Sequence, residues 1–188
     1  DCKSLAPVDE IGNHPRYSFH TLGQQVLFQR CYAEYGYHDF SVGFTTPGPN
    51  AFVQCYSYLP YNFSGTLGGW STGVLFDKLT IDGGVLRFAN REVDGQGGGW
   101  STANSMSWQT RAAQVHIESP PTAQNWAYGS WAQGYGNGYY GLARTFIKPE
   151  SLFYAQLEAR TGKKSAELEK ILTYQSDRTT APSPELLE

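Results

Sequence analysis

Few side chains in this sequence are spaced for acid–base, nucleophilic or metal chemistry. The four histidines are His14, His20, His38 and His116. No two of them lie two or four residues apart, the spacing that brings ligands to one face of a strand or helix. The spacing of the histidines in sequence tests only ligands on one strand or helix, and not ligands from distant strands. This spacing predicts no metal site, and the sequence assigns no residue a catalytic role.

The three cysteines, Cys2, Cys31 and Cys55, lie far apart, without the close paired spacing of a zinc site. They predict one disulfide and one free thiol, and any of the three possible pairs fits. A nucleophilic Cys31 would need a base oriented towards it, and nothing in the sequence places one there. The expected disulfide and the glycosylation sequon Asn62-Phe63-Ser64 favour an oxidising compartment, so we expect a secreted protein or one in an organelle lumen.

Composition and charge narrow the class of protein. The length of 188 residues predicts one domain. The net charge of -3 leaves no basic surplus for a nucleic-acid partner. Aromatic residues make up 15% of the chain and glycines number 21, a combination typical of many short strands joined by turns. No apolar stretch approaches the roughly 20 residues that span a bilayer, and the N-terminus lacks a charged-then-apolar leader. We therefore expect no transmembrane segment.

Two local patterns are similar to known signatures, one to a phosphate-binding loop and one to a sequence repeat, but the rest of the sequence supports neither interpretation. Residues 92–104 are rich in glycine, but they fit neither GxGxxG nor GxxxxGK[ST], so we interpret them as a rim loop and not as a phosphate site. Trp70-Ser71-Thr72 and Trp100-Ser101-Thr102 echo each other. Two copies of a tripeptide do not predict a repeat architecture.

The elements that must position any site are predicted to be short strands joined by hairpins. A period of two runs through residues 30–37 and 39–44, which predicts a hairpin turning at Tyr37-His38-Asp39. A stronger hairpin signal is Asp82-Gly83-Gly84 between residues 74–81 and 85–91, because glycine supplies the positive φ of a tight turn. Further strands are predicted at residues 16–20, 51–58, 107–118, 125–133 and 137–147.

After residue 147 the apolar period becomes that of a helix. Pro149 is tolerated in the first turn, Glu150 suits the positive end of the helix, and Gly162 is a stop signal, so we predict one helix over residues 149–162. Residues 171–175 predict a closing strand. The expected single domain thus has a lead-in over residues 1–15, strands over 16–147, and a tail over 176–188.

This element order, together with several runs of residues, resembles the lipocalin family. Tyr139-Tyr140-Gly141-Leu142-Ala143-Arg144-Thr145, the helix ending at Gly162, and Ile171-Leu172-Thr173-Tyr174-Gln175-Ser176 are similar to that family's last barrel strand, packing helix and closing strand. Arg30-Cys31-Tyr32-Ala33-Glu34-Tyr35 looks like its second strand, and residues 125–131 stand where the penultimate strand belongs. The resemblance implies an all-β fold, an eight-stranded antiparallel up-and-down barrel with one C-terminal packing helix.

The first strand departs from the family pattern. His14-Pro15-Arg16-Tyr17 stands where lipocalins carry Gly-x-Trp, so Arg144, a structural residue in this interpretation, is expected to stack on another aromatic ring. Within the family, residues 149–188 are similar to violaxanthin de-epoxidases of plastids, which places a plastid or thylakoid lumen among the expected compartments. Those enzymes carry an acid just before the second-strand cysteine, where this chain has Gln29-Arg30. Because an epoxide needs a positioned proton donor, we do not carry the activity over.

A lipocalin-like barrel implies that function resides in its cavity. Such a barrel encloses room for one small molecule, so we expect a bound hydrophobic ligand, a carotenoid, chlorophyll or lipid. Representative lining residues are Tyr35, Tyr56, Phe88, Trp108 and Tyr128, with the inward parity of each strand left open. The alternatives are a structural or docking subunit of a larger, photosynthetic assembly with a protein partner, and a de-epoxidase-like enzyme.

Overall fold

The computed structural model describes residues 2–9 and 16–163, and its strands are paired in parallel. The chain makes successive turns, which we call passes, and each strand pairs with the corresponding strand of the next pass. Tyr32 pairs with Tyr56, Tyr56 pairs with Thr80, and Thr80 pairs in turn with Arg111. The chain therefore winds as a coil, a parallel β-solenoid in which each pass stacks on the one before.

The strands of the described residues form three sheets. Sheet A consists of β1 (Lys3–Leu5), β2 (Phe19–Thr21), β4 (Tyr32–Glu34), β5 (Phe40–Val42), β7 (Tyr56–Tyr58), β8 (Ser64–Thr66), β11 (Thr80–Phe88), β14 (Arg111–Ile117) and β16 (Trp131–Tyr135). Sheet B consists of β3 (Leu27–Gln29), β6 (Asn50–Val53), β10 (Val74–Asp77), β13 (Met106–Trp108), β15 (Trp126–Tyr128) and β17 (Tyr139–Gly141). Sheet C consists of β9 (Ser71–Thr72) and β12 (Thr102–Ala103).

The antiparallel up-and-down barrel expected from the lipocalin resemblance is wrong. A period of two reports that a segment is extended, and this period is the same in parallel and antiparallel strands. Consecutive strands here lie on different faces of the coil and do not pair with each other, as β6 in sheet B and β7 in sheet A illustrate. The 51–58 segment, predicted as one strand, is therefore two strands separated by a corner at Gln54.

The same corner recurs in five passes of the coil. Arg30, Gln54, Lys78, Gln109 and Gly129 each separate a sheet B strand from the next sheet A strand, and their φ values lie between 48° and 64°. This left-handed conformation is uncommon for residues with a Cβ atom. It is held by hydrogen bonds between passes, because the backbone N–H of Arg30 donates to Val53 and that of Gln54 to Asp77, both at 2.8 Å. A corner of this kind redirects the chain without reversing it.

Neither predicted hairpin forms. Tyr37-His38-Asp39 connects β4 to β5, but β4 pairs with β1 and β7, whereas β5 pairs with β2 and β8. Asp82-Gly83-Gly84 lies inside β11, which continues from Thr80 to Phe88. The ladder between β11 and β14 shifts register between Ile81 and Val85, so the glycines form a β-bulge and not a turn.

Packed side chains fill the interior of the coil. Phe28, Phe52 and Phe76 occupy the same position in three successive passes, with ring centroids 5.1 and 4.8 Å apart and nearly parallel planes. The ring of Phe40 meets Phe52 edge-on at 6.1 Å. Phe40, Phe52 and Phe76 are fully buried, so the space that the expected barrel cavity would occupy is a solid core.

A helix packs on sheet B after the last strand. This helix, α2 (Leu152–Thr161), lies within the segment 149–162 for which the sequence predicts a helix; an earlier helical turn, α1 (Asp94–Gly97), has three residues with positive φ. Ser151 is the N-cap of α2, its hydroxyl accepting from the N–H of Tyr154, and Gly162 ends the helix with φ 68°. Pro149 thus precedes the helix and is not its first residue. The predicted closing strand at 171–175 and the tail at 176–188 lie outside the described residues.

The three cysteines are free thiols, so the expected disulfide is wrong. Cys31 and Cys55 are buried one residue before the paired Tyr32 and Tyr56, on neighbouring passes, while Cys2 is exposed. The Cys31 thiol contacts the carbonyl of Gln29 at 3.5 Å and the Cys55 thiol that of Phe28 at 3.6 Å, and the two thiols are also hydrogen-bonded to each other. The even-pairing argument fails because small thiols also fill a core as apolar side chains. The oxidising compartment stays a prediction without this support.

Candidate functional site

A long depression, which we call the sheet A groove, lies on the outer face of sheet A. Its first half has a volume of about 860 Å³ and is bordered by Tyr56, Thr80, Asp82, Arg111, Trp131 and Phe146, among others. Its second half has a volume of about 380 Å³ and is bordered by Tyr61, Asn62, Phe63, Arg87, Gln114 and His116, among others. Gly83 lines both halves, so they adjoin.

The parallel register lines up the groove residues in rows across the coil. Thr80 of β11 lies beside Arg111 of β14, and Arg111 lies beside Trp131 of β16. Successive side chains of a strand point to opposite faces, so the neighbour Ile81 is buried in the core while Asp82 is exposed. The fold thus places residues that are distant in sequence side by side on one outer surface.

A second row of side chains lies on the far side of the β11 bulge. Arg87, His116 and Tyr135 are neighbours there on β11, β14 and β16. Between the two rows, Gly83 has φ 77°, and a Cβ atom at this residue would lie 3.0 Å from Leu59. The bulge therefore needs glycine at this position. Because Gly83 has no side chain, the sheet A groove stays open where its two halves meet.

Exposed aromatic rings form the apolar part of the sheet A groove. The rings of Trp131 and Phe146 pack with centroids 4.9 Å apart, yet these residues remain 38% and 68% exposed. Tyr135, in the second row, is 63% exposed. Apolar faces of this size gain free energy when a ligand covers them.

Hydrogen-bonding groups lie among these rings. The Tyr56 hydroxyl donates to Oδ2 of Asp82 at 3.4 Å. Burial, and next the charge of Asp82, raise the pKa of Tyr56, so its hydroxyl stays protonated at neutral pH. In the second half, Nε2 of His116 lies 2.8 Å from Oε1 of Glu118, and the backbone N–H of Asn90 donates to Oε2 of Glu118 at 2.7 Å. Because an ionised carboxylate only accepts, the imidazole N–H is the donor of this pair.

A second depression, the α2 groove, lies between helix α2 and sheet B and has a volume of about 640 Å³. Its apolar lining consists of Val26, Ala51, Val74, Leu75, Met106, Trp126, Leu152, Phe153 and Leu157, with Pro49 at its edge. Gln25, Asn104, Gln156 and Arg160 are polar groups around it. A half-open apolar site of this size with a few polar groups is typical of sites for small amphipathic molecules.

The five predicted lining residues do not surround one cavity. Tyr56 borders the sheet A groove, and Tyr35 lies at a corner after β4 with its ring edge-on to that of Tyr58. Phe88 is fully buried in the core. Trp108 and Tyr128 come together on the outside of sheet B, with ring centroids 5.8 Å apart, and the indole of Trp108 donates to the Pro149 carbonyl.

Arg144, expected to stack on an aromatic ring, is an exposed residue after β17. Its backbone N–H donates to the carbonyl of Ser130 at 2.9 Å, and the cation–π contacts found within residues 2–9 and 16–163 involve other arginines. Of the four histidines, His20 and His38 lie on the first passes, far along the coil from His116, and His14 lies outside the described residues.

Most groove residues were missed by sequence reasoning. Arg87, Arg111 and Trp131 were seen only as members of strands, because the partner of each strand was unknown. One signal was available. Phe28, Phe52 and Phe76 recur at an even interval, and the same interval places Tyr32 beside Tyr56 and Tyr56 beside Thr80.

Comparisons with known proteins yield no family for this chain. No family model, no curated protein and no solved structure matches it. Within residues 2–9 and 16–163, no helix has the length and apolar character needed to cross a membrane. In the same part of the chain, no three His, Cys, Asp or Glu side chains come close enough to hold a metal ion.

Proposed function

We propose that the protein binds an extended polysaccharide along the sheet A groove. The observation that carries the proposal is the pair of exposed rings, Trp131 and Phe146, beside polar side chains on the outer face of stacked strands. Trp131 and Phe146 offer apolar faces, and Asp82 and Gln114 offer hydrogen-bonding groups on the same surface.

This combination suits a sugar better than a purely apolar molecule. A sugar ring has an apolar C–H face that packs on an aromatic ring, and a rim of hydroxyl groups that need donors and acceptors. The sheet A groove supplies both kinds of contact in two adjoining halves. Because it is an open surface and not an enclosed pocket, it accommodates several units of a polymer.

The test is retardation in native gels that contain dextran, xylan, alginate or dextran sulfate. We expect at least one polymer to retard the protein and Trp131→Ala to raise the dissociation constant about tenfold, since loss of one stacking ring costs about 1.4 kcal/mol. Tyr139→Ala is the matched control, because Tyr139 is a 49% exposed ring on sheet B, outside the groove. Absence of retardation by all four polymers, or equal loss in both variants, contradicts the proposal.

A second candidate function is binding of a small hydrophobic ligand. The barrel cavity expected for it does not exist, but the α2 groove offers an apolar lining with Arg160 and Gln156 at its edge. A carotenoid, a chlorophyll or a lipid stays the predicted ligand, and Arg160 suits a lipid with an anionic head group. The docking-subunit and de-epoxidase-like alternatives also stay predictions, and no feature described above favours either of them.

This second candidate is tested by extraction of the native protein with organic solvent, followed by absorption and mass spectrometry, and by calorimetric titration with oleate. Leu75→Gln places an amide in the α2 groove, so we expect at least a fivefold loss of oleate affinity, about 1 kcal/mol. Leu142→Gln is the control, because Leu142 is 64% exposed outside this groove. An empty extract together with no heat of oleate binding rules this candidate out.

A further inference from the structure

The guanidinium groups of Arg87 and Arg111 in the sheet A groove, and that of Arg91, which shares a ring with Arg87, contact aromatic rings and no carboxylate. Arg87 and Arg91 lie over the ring of Phe63 at 5.3 and 5.7 Å, and Arg111 lies over the ring of Phe146 at 5.7 Å. Salt bridges within residues 2–9 and 16–163 include Lys78 with Glu150 and His116 with Glu118, and none of those between described residues involves these three arginines. The three arginines are therefore not neutralised by the described part of the chain.

Two acidic side chains of this surface, Asp82 and Glu118, have other partners, and neither forms a salt bridge with an arginine. Asp82 accepts from the Tyr56 hydroxyl, and Glu118 is held by His116 and by the backbone N–H of Asn90. In addition, Nε of Arg87 is buried and has no hydrogen-bond partner among the described residues. A buried donor without a partner costs free energy, so the Arg87 side chain is not fully satisfied by the described part of the protein.

We infer that the polysaccharide is anionic and that Arg87 and Arg111 bind its carboxylate or sulfate groups. The inference rests on the proposed function, because it names the class of polymer that the sheet A groove takes. Guanidinium groups bind planar and tetrahedral oxyanions through paired N–H donors. Arg111 borders the first half of the groove and Arg87 the second, so an acidic polymer meets one cation on each side of Gly83.

The charge of the whole chain makes this inference specific. The net charge of -3 repels a polyanion in general, so tight binding of one requires a local cationic site. Stacking of Arg111 on Phe146 and of Arg87 on Phe63 also limits the positions of both guanidinium groups. Less side-chain entropy is then lost when an anion binds.

The experiment measures dissociation constants for dextran, alginate and dextran sulfate at low and high sodium chloride. These polymers are neutral, carboxylated and sulfated, so the two acidic arms identify the anionic group. We expect at least one acidic polymer to bind tenfold or more tightly than dextran, with an affinity that falls as salt rises. Arg87→Gln and Arg111→Gln should each lower that affinity fivefold or more, and should lower the affinity for dextran, which carries no charge, by a smaller factor.

Arg160→Gln is the matched control, because Arg160 is exposed on helix α2 and borders the other groove. Thermal unfolding of every variant checks that the fold is intact. Equal affinity for dextran and both acidic polymers overturns the inference and leaves the proposed function standing. Equal loss in Arg160→Gln and Arg111→Gln also overturns it, because binding then follows overall charge. No binding to any of these three polymers overturns the inference, and it overturns the proposed function as well when xylan also fails to bind.

Discussion

At the scale of single residues, Asp77 connects the solenoid to helix α2. It is fully buried at the end of β10, and its Oδ2 accepts from the Ser151 hydroxyl at 2.5 Å and from the backbone N–H of Phe153 at 2.8 Å. Its other oxygen, Oδ1, is buried without a hydrogen-bond partner among the described residues. Burial raises the pKa of Asp77 from 3.8 to about 6, against the lowering effect of these hydrogen bonds. The neutral carboxyl group is thus the form that suits the site.

This raised pKa predicts that Asp77 destabilises the fold as pH rises. Between pH 4 and 6 the folded protein holds a proton on Asp77 that the unfolded chain has lost, so the free energy of unfolding falls with rising pH. The full effect above pH 6 is about 3 kcal/mol. Asp77→Asn stays neutral, so we expect this variant to be more stable than the original protein at pH 7.5 and to lose that advantage at pH 4. Denaturant unfolding at both values measures it.

A second buried group, His38, also makes stability depend on pH, so Asp77→Asn is compared with the original protein at each pH. Burial lowers the pKa of His38 to about 4, so protonation of His38 destabilises the fold as pH falls from 6.5, opposite in sign to Asp77. Both proteins contain His38, and the difference between them removes its effect. Asp94→Asn, at an exposed carboxylate, is the control and should show no such difference. A stability difference between Asp77→Asn and the original protein that stays constant from pH 4 to 7.5 contradicts this role for Asp77.

At the scale of elements, the sequence locates extended segments but not their partners. The alternation at residues 39–44 contains β5 (Phe40–Val42), and residues 107–118 contain β14 (Arg111–Ile117). Pairing follows from the direction in which the chain leaves each strand. A single positive φ at Gln109 sets that direction, and glutamine carries no turn signal that would predict it.

Glycine misled the prediction at β11 for a related reason. Asp-Gly-Gly suits both a tight turn and a β-bulge, because both use a residue with positive φ. The neighbouring strands decide between them, and in this fold β11 pairs with β7 and β14 instead of folding back on itself.

Prediction of helix α2 depends less on distant partners. Its cap and stop are local signals, so its range was close to that of α2 and differed mainly in the choice of Pro149 over Ser151 as the start.

At the scale of the whole molecule, the uneven length of the passes hides the repeat. Phe28, Phe52 and Phe76 are evenly spaced, but the pass from Thr80 to Arg111 is longer than these and the pass from Arg111 to Trp131 is shorter. The echo of Trp70 and Trp100 is part of the same arrangement, because the backbone N–H of Trp70 donates to the carbonyl of Trp100 on the next pass. Of the five predicted lining residues, only Tyr56 borders the sheet A groove. The register that this repeat sets decides which residues lie side by side, and this register was not predicted from the sequence.

Stacking of passes also determines how the molecule should respond to damage in its core. In a solenoid each pass contacts only its neighbours, so a defect weakens the passes beside it first. Phe52 lies between Phe28 and Phe76, and its ring is within 5.1 Å of both. It therefore joins its own pass to the passes on either side, whereas β15 and β17 lie at the far end of sheet B.

We expect Phe52→Ala to lower the free energy of unfolding by about 3–5 kcal/mol, because it removes a fully buried ring and leaves a cavity between two others. Amide hydrogen exchange should then accelerate most in β3, β6 and β10, which contain the three stacked rings, and least in β15 and β17. Phe146→Ala is the control, since Phe146 is 68% exposed and its loss should change stability by about 0.5 kcal/mol or less. Uniform acceleration of exchange across all strands in Phe52→Ala would contradict nearest-neighbour stacking, and it would indicate that the coil unfolds as one cooperative unit.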